Sequence, residues 1–82
     1  MIKIKFFGAL RIDHGIKEVS LNEGTVAQII EWLIRKYPNI KQEQLTHSVM
    51  MLNQIPLTKG NRLSVLLKEG DELIFLSPVA GG

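Results

Sequence analysis

The sequence predicts an α+β fold, a mixed sheet of about five strands packed on one main helix. Three observations predict it. The chain opens with a period-two stretch, Ile2, Lys3, Ile4, Lys5, Phe6; one strongly amphipathic segment follows in the first half; and a continuous apolar run, Leu73 to Leu76, lies near the end. Strands before and after a single helix bury their apolar faces most simply as one sheet against that helix. With 82 residues there is material for one hydrophobic core and not for two, so a single domain over residues 1–82 is expected.

Taken in order, residues 2–7 place Ile2, Ile4 and Phe6 on one face and Lys3, Lys5 and Phe7 on the other. An aromatic on the lysine face is either covered by a neighbouring segment or left for a partner. "GALRIDHG" holds two glycines and an aspartate and reads as a connection. A second strand from Lys17 to Leu21 then makes the pair a hairpin with a long loop. In "EGTVAQIIEWLIRKYP", Thr25 is a helix N-cap, Gln28 completes a capping box and Pro38 stops the helix. Val26, Ile29, Ile30, Leu33, Ile34 and Tyr37 form its apolar stripe. Glu31 and Arg35, spaced i, i+4, are a solvated pair, and Trp32 at the stripe's edge is expected to pack half-buried.

Residues 39–47 are polar and irregular, a loop or a short turn of helix. A strand resumes at Val49 to Leu52, turns at Asn53 and Gln54, and returns briefly through Ile55 to Leu57, where Pro56 limits it to a sheet edge. A short connecting stretch and a turn at Lys68 to Asp71 lead to the last strand, Glu72 to Ser77. Its continuous apolar run implies burial on both faces, or one face kept for a partner. The first and last strands side by side at the sheet centre would suit their apolar content. That arrangement is a β-grasp, the ubiquitin-like roll.

Composition removes several function classes. The formal net charge is +2 and the ten basic residues are scattered, whereas nucleic-acid binding wants a concentrated basic patch with stacking aromatics. No cysteine is present, so this chain offers no disulfide and no thiolate chemistry of its own. Two histidines, His14 and His47, leave little for a metal site. Lys3 and Lys5 interrupt the apolar start, so neither a signal peptide nor a membrane anchor is expected, and a cytoplasmic location is the default. His14 beside Asp13, and His47 near Thr46 and Ser48, lack a nucleophile, base and orienting acid in one set, and both read as surface loop histidines. "EGDE" at 69–72 lacks calcium-loop spacing, and the isolated glycines near 24 and 60 cradle no phosphate.

The ending "FLSPVAGG" is the remaining chemical feature. Two terminal glycines arise by chance in roughly one chain in 200. A terminal carboxylate is a poor acyl electrophile, but as an acyl adenylate it accepts a sulfur or amine nucleophile. Gly81 and Gly82, without Cβ atoms, could thread a narrow channel. Pro78 would stiffen the exit from the sheet, with Val79 and Ala80 adding apolar contacts along an arm of residues 78–82. The alternative is a frayed terminus that does nothing.

"IKFFGALR", "LNQIPL" and "LKEGDELIFLSPVAGG" resemble, in matching order along the whole chain, the ubiquitin-like sulfur carriers typified by the small subunit of molybdopterin synthase. The resemblance implies that a ubiquitin-activating-like adenylyltransferase, using ATP, adenylates Gly82, and that a sulfur donor converts it to a thiocarboxylate. The chain itself would bind no cofactor. The tail would enter the active site of the synthase large subunit, in a heterotetramer, and give its sulfur to cyclic pyranopterin monophosphate. Phe7, Arg11 and Leu76 match the family's partner face; strand parity also turns Phe7 outward and, with Leu73 and Phe75 taken inward, Leu76 as well. Two departures stand out. A usual pair of prolines is reduced to Ser77-Pro78, which would loosen the arm slightly, and Gly8 stands where alanine is common. Rival readings are a protein modifier joined to lysines through Gly82, a carrier for thiamine or another sulfur pathway, and a β-grasp interaction module with an inert tail.

Overall fold

The computed structural model describes residues 1–77. The chain runs β1 (Ile2–Gly8), α1 (Ala9–His14), β2 (Glu18–Leu21), β3 (Gly24–Thr25), α2 (Val26–Lys36), α3 (Gln42–Thr46), β4 (Val49–Leu52), β5 (Ile55–Pro56), a 3₁₀ turn (Arg62–Ser64), β6 (Leu66–Leu67) and β7 (Glu72–Ser77). A five-stranded mixed sheet has the order β2-β1-β7-β4-β5. Its β1 and β7 are parallel, the other pairs antiparallel. This is the β-grasp arrangement, with α2 as the main helix and the first and last strands paired inside the sheet.

The inner face forms as the period-two pattern dictates. Ile2, Ile4 and Phe6 of β1 and Leu73 and Phe75 of β7 are fully buried, and they share one core with Val26, Ile29, Ile30 and Leu33 of α2. Phe6 and Phe75 are register partners and stack with ring centroids 5.8 Å apart. Thr25 caps α2 as its sequence predicts: its Oγ1 accepts from the Gln28 amide at 3.2 Å, and Gln28 Oε1 accepts from the Thr25 amide at 2.9 Å. Glu31 and Arg35 pair on the exposed side at 2.6 Å.

Three stretches differ from their sequence reading or extend it. The connection "GALRIDHG" contains a helix, α1, whose Leu10 is buried and whose C-cap, Gly15, adopts the left-handed conformation with its amide donating to Arg11 O. Six residues are too few to show a helical period, and tertiary burial of Leu10 supplies the stability that so short a helix lacks alone. Residues 39–47, open between loop and helical turn, hold α3, anchored by the buried Leu45. The connecting stretch after residue 62 contains β6, which pairs with β3 in a separate two-stranded ladder. Two-residue strands carry no period to read.

The turn at Asn53 and Gln54 has positive φ at both residues, 50° and 71°, as a two-residue hairpin of matching twist requires. It is fastened to the turn before β7. Asn53 Nδ2 donates to Asp71 Oδ1 at 3.0 Å, and Asn53 Oδ1 accepts from the Glu72 amide at 2.9 Å. The Lys68 amide donates to Asp71 Oδ2 at 2.8 Å. That backbone hydrogen bond, then the Asn53 amide, and the nearby Lys68 charge hold the Asp71 carboxyl below its usual pKa.

Candidate functional site

Alternation along β1, β7 and β4 leaves a second face turned away from α2. Its rows follow from the register. Phe7 pairs with Leu76, which pairs with Val49; Lys5 pairs with Ile74, which pairs with Met51. Phe7, Leu76 and Val49 are 38%, 41% and 50% exposed. Three large apolar side chains in one contiguous row on open sheet form an exposed apolar patch rather than scattered surface hydrophobics. Lys5 and Glu72 form an ion pair across this face at 3.1 Å, which bounds the apolar row on its polar side.

Arg11 is delivered to the same place by α1. Its guanidinium lies over the Phe7 ring, 5.7 Å from the centroid, within cation–π range. The short helix that replaces the expected connection is therefore what brings Arg11 to Phe7. The three residues expected at a partner face, Phe7, Arg11 and Leu76, are together in space. Val49 and Met51 were not singled out, since "VMML" is apolar at every position and shows no parity; only the buried Met50 between them fixes which way they point.

β7 ends one residue beyond Leu76, at a tightly fastened point. Ser77 is buried and pairs in register with Gly8. Gly8 has φ 78° and ψ −143°, near a region essentially restricted to glycine. A Cβ there would stand 1.9 Å from the Ser77 carbonyl oxygen, so glycine here is a packing requirement rather than a neutral replacement for alanine. Ser77 Oγ accepts from the buried Leu10 amide at 2.9 Å. The residue read as loosening the arm is itself held by both backbone and side chain. The residues expected to form the arm, Pro78, Val79, Ala80, Gly81 and Gly82, lie outside the described residues.

Other candidates recede. His14 is half-buried in the last turn of α1 rather than in a surface loop, with Nε2 buried and unpartnered. It abuts Tyr37, Pro38 and Asn39 in a cavity of about 270 Å³ with no serine, threonine or cysteine nucleophile in its lining. His47 is the exposed C-cap of α3. Trp32 keeps 38% exposure, with Lys36 Nζ 5.7 Å from its ring centroid. Among the described residues, no three His, Cys, Asp or Glu side chains cluster as metal ligands, and no helix is long and apolar enough to cross a membrane.

Fold and surface together define a ubiquitin-like β-grasp protein with an exposed apolar row near the end of its last strand. The chain belongs to the ThiS family, whose sequence profile matches residues 4–82. It is similar to the molybdopterin synthase sulfur carrier subunit of Mycobacterium tuberculosis, 34% identical with all of both chains covered. Among solved structures it is similar to the small archaeal modifier protein 1 of Methanosarcina acetivorans (28% identity, TM-score 0.75, 99% of this chain and 95% of that one). It is also similar to a chain of the Amycolatopsis orientalis BexX/CysO complex (26% identity, TM-score 0.73, all of both chains).

Proposed function

We propose that this protein is the sulfur-carrying small subunit of a molybdopterin synthase, working through the carboxyl group of Gly82. The observation that carries the reading is the exposed Phe7–Leu76–Val49 row, placed at the end of the strand from which residues 78–82 continue. A partner that covers this row receives the arm beside it. Full-length similarity to a molybdopterin synthase sulfur carrier subunit, and a family profile that extends through Gly82, support the assignment.

In the proposed sequence an activating enzyme lets the Gly82 carboxylate attack the α-phosphorus of ATP, releasing pyrophosphate and forming an acyl adenylate. Hydrosulfide released by the donor attacks the acyl carbon, the bond to AMP breaks, and a thiocarboxylate remains. The synthase large subunit docks on the apolar face, and Pro78 to Gly82 reach its active site, where the sulfur passes to cyclic pyranopterin monophosphate. The new carbon–sulfur bond replaces a carbon–oxygen bond of the precursor, and water then cleaves the acyl–sulfur bond, restoring the Gly82 carboxylate. The chain contributes docking, reach and the acyl group, and the large subunit contributes the catalytic groups.

Similarity to an archaeal modifier protein favours one second reading, in which a lysine amine attacks the same adenylate. Incubation with activating enzyme, ATP and a sulfur donor, followed by intact-mass measurement, separates the two. Exchange of one oxygen for sulfur at Gly82, and subsequent sulfur transfer to a large subunit loaded with precursor, supports the carrier. Adducts on lysines of other proteins without sulfur transfer overturn it.

A further inference from the structure

Helix α1 has only six residues, and its N-cap is Gly8, which has no side chain to accept from the first-turn amides. Serine is a preferred N-cap because its oxygen accepts from the second or third amide of a helix. Here that oxygen comes from elsewhere in the chain: Ser77 Oγ accepts from Leu10, the second residue of α1, across a separation of 67 residues. The bond is buried, since Leu10 is 0% and Ser77 6% exposed. Gly8 and Ser77 are also register partners, at an approach that leaves no space for a Cβ. The end of β1, the start of α1 and the end of β7 are thus joined at one point.

That point lies between two things the proposed carrier must present together. On one side α1 holds Arg11 over Phe7, part of the apolar row. On the other, Ser77 is the residue from which the arm departs. We propose that Ser77 is a positioning residue, a helix cap supplied by the last strand, which fixes the docking face and the root of the arm in one mutual geometry. The inference deepens the carrier reading and rests on it. Loss of the Ser77 hydroxyl leaves Leu10 without its partner and lets α1 fray, so that a smaller fraction of molecules presents Arg11 and the arm correctly at once. Apparent affinity falls by that fraction.

The test uses the full chain as wild type, S77A and S77T, each thiocarboxylated, with the large subunit and its precursor. Amide hydrogen exchange and single-turnover sulfur transfer are measured at a series of large-subunit concentrations. For S77A, exchange at Leu10 is expected to accelerate by about fivefold, the equivalent of one ordinary hydrogen bond, with exchange at Ile4 and Phe75 unchanged. The large-subunit concentration for half-maximal transfer should rise with the open fraction, by no more than about the same fivefold, the maximal rate staying within about twofold. S77T, which retains the oxygen, should restore both. Faster Leu10 exchange with unchanged half-saturation would make the cap purely structural and overturn the proposal, as would unchanged Leu10 exchange. A wild-type chain that neither docks nor transfers sulfur overturns the carrier reading and this inference with it, whereas wild-type transfer with an equally competent S77A overturns the role of Ser77 alone.

Discussion

The two faces of the sheet are built from the same strands and both carry large apolar side chains, yet those side chains have opposite fates. On the inner face Ile4, Phe6, Leu73, Phe75 and Met50 are fully buried. On the outer face Phe7, Leu76 and Val49 keep between 38% and 50% of their surface. Side-chain chemistry does not separate Phe6 from Phe7, or Phe75 from Leu76. Parity does, because successive Cβ atoms point to opposite sides, and only one side receives α2. Apolar residues on the inner face stabilise the fold, while those on the outer face stay available for association.

The comparison can be broken at its strongest point first. Phe75→Ala removes a buried ring stacked on Phe6 and is expected to cost about 3–5 kcal/mol, read as a fall in the denaturant midpoint. Gly8→Ala tests the fastening between β1 and β7. Positive φ and the approach to Ser77 O predict a loss of about 2–4 kcal/mol by the same measurement. An unchanged midpoint would show that the backbone at this junction can relax.

Leu76→Ser sharpens the contrast from the other side. One residue beyond Phe75 in sequence, it should change stability by about 1 kcal/mol or less. Binding to a large subunit, followed by titration calorimetry, should weaken by about tenfold or more if the outer row is the docking core. Equal losses of stability for Phe75→Ala and Leu76→Ser would erase the distinction between the faces.

The smallest effect concerns the opposite end of the sheet, where Asp71 serves neither face. Its folded-state pKa is lowered, first by the Lys68 amide and then by Asn53. Its contribution to stability is therefore complete above the unfolded carboxylate value of about 3.9 and is lost as pH falls through the lower folded value. Asp71→Asn should reduce stability at neutral pH slightly and flatten its decline in acid below about pH 4. A mutant whose acid limb matches the wild type would assign that decline to other carboxylates.

Much of this architecture is legible in the chain. The alternation in residues 2–7, the capping box at Thr25 and Gln28, the stop at Pro38 and the turn at Lys68 to Asp71 all have local patterns, and the structure carries them at those positions. Phe7 could be turned outward by counting alone, and Leu76 once Leu73 and Phe75 are taken inward. Helix α1 and the β3–β6 ladder were not legible, because each is too short to show a period and each is stabilised by distant partners. Val49 and Met51 were hidden for a different reason: in an all-apolar strand the period exists in the backbone but not in the composition.

The sequence by itself determined which residues of the first strand alternate, where the main helix starts and stops, and that Phe7 lies on the side opposite the core. These depend on dihedral geometry and capping, which act over a few residues. Only the tertiary structure decided that Val49 completes the row of Phe7 and Leu76, that Arg11 lies over Phe7 and that Ser77 caps a helix 67 residues away. Contacts of that kind form when distant segments pair, and no local pattern in the chain encodes them.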